Sequence, residues 1–247
     1  MTRMIVTDLD ETLLRSDKSI SVHTIAILKK CRDAGIKMVY ATARGGSAER
    51  ITPAGIFDGK ISRGGAIAKT GDKIIYSRLI PYQIARPILI ACDKRELKTT
   101  LETADIKRTN YGDNAVDFSQ HDIDAEMISF VGLTSDDQAF VRSLLPENLY
   151  FMAMSDIGGS YGGYYGMIMH KDATKLKAVS ELARLWGIAM SEITAFGDDV
   201  NDLEMLANCG TGIAVENAID EAKAAAGHIC GANDEDGVAR WLEENVL

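Results

Sequence analysis

Short apolar runs alternate with amphipathic segments at both ends of the 247-residue chain. Met4 to Thr7 and Lys37 to Ala41 have the composition of buried strands, and Ile193 to Phe196 and Gly212 to Val215 repeat this pattern near the C-terminus. Amphipathic stretches follow these runs. Such βα alternation predicts a parallel sheet with helices on both faces, that is, a Rossmann-like α/β core.

Helical spacing is clearest in two segments. Ser21 can cap a helix that carries Ile25, Leu28 and Cys31 on one side. Apolar residues recur at the same spacing from Leu176 to Leu185. Further helices are expected around residues 47–55, near 203–206, and at 217–227 and 236–244, and a strand broken by two glycines is expected at 61–69.

The middle of the chain has a different pattern. Strand-like stretches at 115–118, 127–133 and 149–154 are longer and alternate, and an amphipathic helix is expected at 136–145. We therefore expect an inserted α+β domain at 81–166, with the core formed by residues 1–80 and 167–247.

Composition narrows the possible functions. The formal net charge of −9 argues against nonspecific binding to nucleic acid or to an anionic membrane, although a small phosphorylated substrate needs only a local cation. The four cysteines are widely spaced, which favours reduced thiols. No apolar run approaches the ~20 residues of a membrane span, and no signal peptide is evident. We expect a cytosolic protein that is a monomer or a weak homodimer.

Two acids at the end of the first strand are the first candidates for chemistry. Asp8 and Asp10 lie where ligands bind in open parallel sheets. One carboxylate can attack an electrophile while the other serves as acid or base, and together they attract Mg²⁺. Thr42 follows the second strand, where a hydroxyl and loop amides can hold an oxyanion.

A lysine and a second acidic turn extend the set. Lys171, Lys175 and Lys177 lie near the start of one predicted helix, and Asp198 and Asp202 follow another predicted strand. Each feature alone has an ordinary explanation as a helix cap, a solvated lysine or an acidic turn. Their joint placement at strand ends is much less expected by chance.

These residues resemble the Cof-like branch of the haloacid dehalogenase superfamily of phosphohydrolases. The resemblance covers nearly all of the core and rests on the following segments: Asp8-Leu9-Asp10-Glu11-Thr12-Leu13, Ala41-Thr42-Ala43-Arg44, Gly197-Asp198 with Asn201-Asp202, Gly212-Ile213-Ala214-Val215 with Asn217-Ala218, and Asn233-Asp234-Glu235-Asp236-Gly237-Val238. The inserted domain resembles a type II, subtype B cap by its place and size.

Some positions depart from the family pattern. Lys175 fits the family lysine better than Lys171, although Leu176 stands where glycine usually follows. Ala43 replaces the usual glycine of the second motif, and Gly64 stands where asparagine is usual, which alters expected substrate contacts near the third strand.

The resemblance implies two-step phosphoryl transfer from a small phosphorylated metabolite. Asp8 would be the nucleophile and Asp10 the acid and base, and the resemblance implies roles for the remaining residues. Lys175 and Thr42 would hold the transferring group, Ala43, Arg44 and Asn201 would bind phosphate or substrate, and Mg²⁺ would be held by Asp8, the Asp10 carbonyl and Asp198, with Asp202 acting through water.

Two other functions remain open at this point. A phosphomannomutase-like phosphomutase would return the phosphoryl group to sugar rather than to water. A noncatalytic sugar-phosphate sensor would not need both Asp8 and Asp10. Tyr161, Tyr164 and Tyr165 are more simply interpreted as strand-packing residues than as cleft residues.

Overall fold

The computed structural model describes residues 1–103, 106–120, 122–155 and 162–247. Its strands are β1 Met4–Thr7, β2 Lys37–Ala41, β3 Gly59–Ser62, β4 Ile67–Thr70, β5 Lys73–Ser77, β6 Lys98–Thr103, β7 Ile106–Thr109, β8 Met127–Leu133, β9 Leu149–Ser155, β10 Tyr164–His170, β11 Ile193–Gly197, β12 Thr211–Val215 and β13 His228–Cys230. Its helices are α1 Val22–Asp33, α2 Ala48–Ile51, α3 Tyr82–Lys94, α4 Ser135–Ser143, α5 Lys175–Trp186, α6 Leu203–Asn208, α7 Asp220–Ala225 and α8 Gly237–Asn245.

The chain forms two compact units. The first consists of Met1–Ser77 and Thr174–Leu247, and the second is Arg78–Ala173. The second unit begins earlier and ends later than the insert expected at 81–166, since β10 and the turn after it belong to this unit. An α/β core with an inserted α+β domain is therefore confirmed as the fold class.

Among the described residues, eight strands form the sheet of the first unit in the order β13-β12-β11-β1-β2-β3-β4-β5. The pairs from β13 to β3 are parallel, whereas β3, β4 and β5 pair antiparallel. The parallel part is the expected Rossmann-like core. Since β11, β1 and β2 are adjacent, their carboxyl ends meet at one edge of the sheet.

Apolar side chains cover both faces of this sheet. On β1, Ile5 packs into one buried cluster, whereas its neighbours Met4 and Val6 pack into another. Helices α1 and α8 contribute to the first cluster, and α5 contributes Val179 and Leu182 to the second. Burial on both faces explains why the central strands are continuous apolar runs.

The main helix signals are confirmed. Ser21 caps α1 by accepting a hydrogen bond from the Thr24 N–H at 3.0 Å. Thr174 caps α5 by accepting from the Lys177 N–H, and Gly187 ends that helix at φ 61°. Thr174 thus sets the start of α5 and Gly187 sets its end, and the first residue of the helix is Lys175.

The second unit is an antiparallel sheet packed against helices. Its described strands run in the order β7-β6-β8-β10-β9. Leu101 and Ile128 on this sheet pack with Leu89 of α3 in one apolar cluster. The alternate positions Thr100 and Ser129 are buried polar residues, so the opposite face of the sheet combines polar side chains with buried methionines.

Several predicted elements are wrong or shorter. The helix expected at 47–55 is only α2, because Pro53 disfavours helical backbone at Thr52, which is extended. The helix expected at 217–227 is the shorter α7, because the backbone of Ile219 before it is extended. Residues 115–118 form no strand, since Phe118 alone of the four is buried.

Other elements were missed by the pattern. Helix α3 was not predicted, and it contains Pro87, which interrupts the helical signal. Tyr161 lies outside the described residues, whereas Tyr164 and Tyr165 belong to β10. Within the described ranges, no helix combines the length and apolar character needed to cross a membrane.

Candidate active site

Three neighbouring strand ends bring the acidic residues and the threonine together. Asp8 follows β1, Thr42 follows β2 and Asp198 follows β11. Thr7 lies in register with Tyr40 on one side and with Phe196 on the other, so the residues that follow these strands are neighbours. The sheet topology thus produces the cluster that the spacing along the chain predicts.

Lys175 reaches these carboxylates from the start of α5. Its Nζ lies 3.0 Å from Asp8 Oδ1 and 2.7 Å from Asp202 Oδ1, and its side chain is 1% exposed. Lys171 and Lys177 are exposed. Of the three candidate lysines, the structure therefore brings Lys175 to the acidic cluster.

Asp202 holds several groups of the site in place. One oxygen accepts from Lys175, and the other accepts from the backbone N–H groups of Asp198 at 3.2 Å and Asp199 at 3.3 Å. The residue is fully buried. Asp202 thus orients Lys175 and holds the start of the turn after β11.

Asp198 is fixed by a hydroxyl from the first motif. Thr12 Oγ1 donates to Asp198 Oδ1 at 2.5 Å. Thr12 is buried and lies in the turn after β1. It therefore links the end of β1 to the end of β11.

Asp10 is paired with two cations. Arg44 Nε and Nη2 each donate to a carboxylate oxygen of Asp10 at 2.6 Å, and Lys18 Nζ lies 3.3 Å from Asp10 Oδ1. The hydrogen bonds from Arg44 hold the pKa of Asp10 below its usual range. Arg44 was expected to contact substrate, but in this structure its guanidinium is bound to Asp10.

The site is an acidic cleft of about 190 Å³ in the first unit. Its lining residues are Asp8, Asp10, Glu11, Thr42, Ala43, Lys175, Asp198, Asp199, Asn201 and Asp202. Six of these ten residues are acids and one is a lysine. Thr42 Oγ1 accepts from the Arg44 N–H at 3.1 Å, which fixes the loop after β2.

Burial makes this concentration of negative charge unfavourable. The pKa of Asp8 is raised to about 8, first by burial and then by the negative charges of Asp202 and Asp198. The attraction of Lys175 lowers this pKa but does not outweigh the other effects. Burial also raises the pKa of Asp198 to about 6. For Lys175, burial lowers the pKa, but the attraction of Asp202 and Asp8 outweighs it and raises the pKa overall.

The donor set fits a divalent cation. Oxygen atoms of Asp8, Asp198 and Asp202 lie within 4.8 Å of one another. Asp8 Oδ1 is buried, and although it lies near Lys175 Nζ, it accepts no hydrogen bond with good geometry from any described residue. Clustered carboxylate oxygens with unused acceptor capacity are ligands for a hard cation.

Some contacts of the site were not predicted. Glu11 and Asp199 line the cleft, Lys18 contacts Asp10, and Thr12 bonds Asp198. Thr12 lies within the first motif, so its place in that motif was a usable signal. The position of Lys18 depends on the turn that brings it back to Asp10, and no spacing rule indicates it.

Comparisons with known proteins agree with this geometry. The family profile of haloacid dehalogenase-like hydrolases matches residues 5–129 and 119–242. A 5-amino-6-(5-phospho-D-ribitylamino)uracil phosphatase of Bacillus subtilis is 26% identical over 270 residues, which cover 98% of this chain and 96% of that protein.

Solved structures share the fold over the whole chain. A phosphatase of the haloalkanoate (HAD) superfamily from Bacteroides thetaiotaomicron has a TM-score of 0.84 at 25% identity, covering 99% of this chain and 95% of its own. A sugar phosphatase of HAD subclass IIB has a TM-score of 0.80 at 22% identity, covering 98% of each chain. The chain belongs to the haloacid dehalogenase-like hydrolases, in their Cof-like branch, and is an enzyme of the phosphatase class.

Proposed function

We propose that this enzyme is a Mg²⁺-dependent phosphomonoesterase that acts on small phosphorylated metabolites through an aspartyl-phosphate on Asp8. The observation that carries this proposal is the pairing of Asp8 with the buried Lys175 in an acidic cleft. Asp8 Oδ1 lies 3.0 Å from Lys175 Nζ. A carboxylate beside a fixed cation suits attack on a phosphate dianion, which the remaining acids would otherwise repel.

The first step transfers the phosphoryl group to the enzyme. A carboxylate oxygen of Asp8 attacks phosphorus while Lys175 and Thr42 hold the equatorial oxygens. Asp10 donates a proton to the departing alkoxide, which requires that its carboxylate first leave Arg44 and take up a proton, because the Arg44 pairing lowers its pKa. In the second step Asp10 takes a proton from water, which attacks phosphorus, breaks its bond to the Asp8 oxygen and so frees the Asp8 carboxylate and inorganic phosphate.

Asp8, the Asp10 carbonyl and Asp198 would hold Mg²⁺, with Asp202 acting through water. When bound, the ion supplies positive charge against the oxygens of the transferring group. Ala43 and Asn201 line the cleft and are proposed to contact the phosphate. A substrate contact by Arg44 would require its guanidinium to leave Asp10 or to bridge both groups.

The expected substrates are phosphate monoesters of small polyhydroxylated molecules. A relative named for a phosphorylated ribitylamino compound and a structural neighbour named as a sugar phosphatase support this class. Four buried free thiols, Cys31, Cys92, Cys209 and Cys230, support function in a reducing cytosol.

A panel of sugar phosphates, pyridoxal phosphate and flavin mononucleotide tests the proposal directly. Released phosphate is measured with Mg²⁺ and after chelation, alongside chromatography for isomerised sugar phosphate. We expect Mg²⁺-dependent phosphate release that Asp8→Asn abolishes. Isomerised product without free phosphate would favour the phosphomutase, and binding without turnover would favour the sensor.

The second unit is proposed to select the substrate. Its chain continues through Thr174 into Lys175, and the face of its sheet opposite the apolar cluster carries Thr100 and Ser129, both buried. We expect Ser129→Ala to change the KM ranking of the panel while sparing a small activated ester, with the exposed Asp136→Ala as control. An unchanged ranking would count against this role.

A further inference from the structure

Two asparagine side chains from the C-terminal third bind the loop that carries Asp10. Asn217 Nδ2 donates to Glu11 O at 2.7 Å, and Asn233 Nδ2 donates to Leu14 O at 3.0 Å. The Asn233 N–H in turn donates to Asn217 Oδ1 at 3.0 Å. The two asparagines therefore form one connected clamp on two carbonyls of this loop.

The clamped loop has an unusual backbone. The Leu14 N–H closes it by donating to Leu9 O at 2.7 Å, while Asp10 inside it is extended, at φ −67° and ψ 134°. Glu11 has a φ of 55°, in the left-handed region that costs a non-glycine residue roughly 1 kcal/mol or more. External hydrogen bonds are needed to hold such a conformation.

The same C-terminal segment also holds the residues that follow the loop. Arg15 Nη2 lies 3.0 Å from both carboxylate oxygens of Asp236, and Asp234 accepts from the N–H and the hydroxyl of Ser16 at 2.9 Å each. Asn233 itself is 4% exposed. The motif at 233–236, which the proposed chemistry does not use, is thus bound along the Asp10 loop.

We propose that Asn217 and Asn233 are positioning residues that place Asp10 for proton transfer. This inference rests on the proposed function, in which Asp10 protonates the leaving group. Asn217 bonds the carbonyl of the residue next to Asp10, so loss of the clamp releases the backbone at that position. A displacement of about 1 Å at a catalytic group can lower a rate about 100-fold.

Leaving-group dependence separates positioning from general destabilisation. A p-nitrophenolate leaves without a proton, whereas an alkoxide needs one from Asp10. The test measures kcat/KM, which reports the first transfer, for p-nitrophenyl phosphate and for the best alkyl phosphate of the panel, at Mg²⁺ concentrations that saturate each variant so that weaker metal binding through the Asp10 carbonyl does not contribute. We expect Asn217→Ala and Asn233→Ala to lower the alkyl value roughly 10- to 100-fold and to change the p-nitrophenyl value less than about threefold.

A double-mutant cycle with Asp10→Asn provides the second readout. Once Asp10 cannot transfer a proton, adding Asn217→Ala should cause no further loss with the alkyl ester. Equal losses with both esters, or a fully additive loss in the Asp10→Asn background, would overturn the positioning role. Asn217 is exposed, so its variant decides the outcome if Asn233→Ala does not fold.

Asn208→Ala is the matched control. Asn208 Nδ2 also donates to a backbone carbonyl, that of Glu204, at 2.8 Å, but within α6. It should leave both kcat/KM values unchanged. A wild-type enzyme that hydrolyses neither ester would instead refute the proposed function, whereas an active wild type with unaffected asparagine variants refutes only the clamp.

Discussion

Asp8 is a buried carboxylate whose ionised form is disfavoured by its surroundings. Its raised pKa reflects burial first and then repulsion from Asp202 and Asp198, and Lys175 offsets part of this. A nucleophile must nevertheless be ionised. The folded protein is therefore less stable when Asp8 is ionised. A bound cation would offset the repulsion among these carboxylates.

Replacement of Asp8 by asparagine should abolish turnover, since an amide cannot serve as the anionic nucleophile. The same change should raise the melting temperature of the metal-free protein by several degrees at pH 8. Because the folded pKa of Asp8 is raised, folding favours the protonated form, and stability is lost as pH rises from about 4 to about 8.

The stability gain of Asp8→Asn should consequently shrink between pH 8 and pH 5. Thermal unfolding of both proteins in chelator, across this range, measures the difference. A gain of equal size at both pH values would show that charge burial at Asp8 is not its cause.

Lys175→Ala should lower kcat by at least about 100-fold, because a preorganised charge that is buried beside the reacting group is lost. Lys171→Ala serves as the control, since Lys171 is exposed and should change kcat less than about threefold. Steady-state kinetics with the best substrate, together with circular dichroism for folding, compare the two. The reverse ranking would assign the phosphate lysine to Lys171.

At the level of elements, the position of α5 depends on the turn after β3. Gly65 has a φ of 109°, and a Cβ there would collide with the backbone of Thr174 and approach the Lys175 N to 2.7 Å. The turn thus packs directly against the first residues of α5. A side chain at this glycine must move the helix start that carries Lys175.

Gly65→Ala should therefore reduce kcat roughly 10- to 100-fold and lower the melting temperature. Gly55→Ala is a matched control, because Gly55 has a φ of 76° but no atom within 4 Å of the added Cβ. Both variants bear backbone strain, about 1–2 kcal/mol. Only the Gly65 variant should show the loss of activity, and similar kinetics for both would contradict the steric argument.

The sequence predicts most elements with strong apolar patterns, although the apolar helix α3 was missed because Pro87 interrupts it. Strands β1, β2 and β8 are confirmed at their bounds, because their apolar runs are buried. Strand β6 was missed, because its sequence, Lys98-Thr99-Thr100-Leu101-Glu102-Thr103, places polar residues on a buried face. Periodicity detects apolar burial, and polar burial gives no such signal.

In the candidate site, too, some residues could be placed from the sequence and some contacts could not. Asp8, Thr42 and Asp198 could be placed from strand ends, since sheet topology alone brings those positions together. The pairing of Arg44 with Asp10 could not, because it depends on side-chain conformation. The asparagine clamp joins residues 206 and 219 positions apart, and a single sequence carries no information on such contacts.

For the whole molecule, metal binding and proton binding should compete. Asp8 and Asp198 both have raised pKa values, so lowering the pH from 8 to 6 fills the cation site with protons. The increase in melting temperature caused by a fixed Mg²⁺ concentration should therefore be larger at pH 8 than at pH 6.

Differential scanning fluorimetry with a Mg²⁺ titration at each pH measures this coupling. Asp198→Asn should remove most of the Mg²⁺-induced shift, whereas Asp220→Asn, on the exposed side of α7, should retain it. A shift that is independent of pH would show that the ion does not displace protons from these carboxyls.

The order of strands in the core sheet also constrains when the enzyme can mature during synthesis. Strand β1 pairs with β11, so Met4 can pair with Ile193 only after the residues between them have been made. The intervening Arg78–Ala173 unit contains its own apolar cluster. A ribosome-bound chain that ends before β11 lacks the partner strand on one side of Asp8, so the catalytic edge cannot assemble until β11 has been translated.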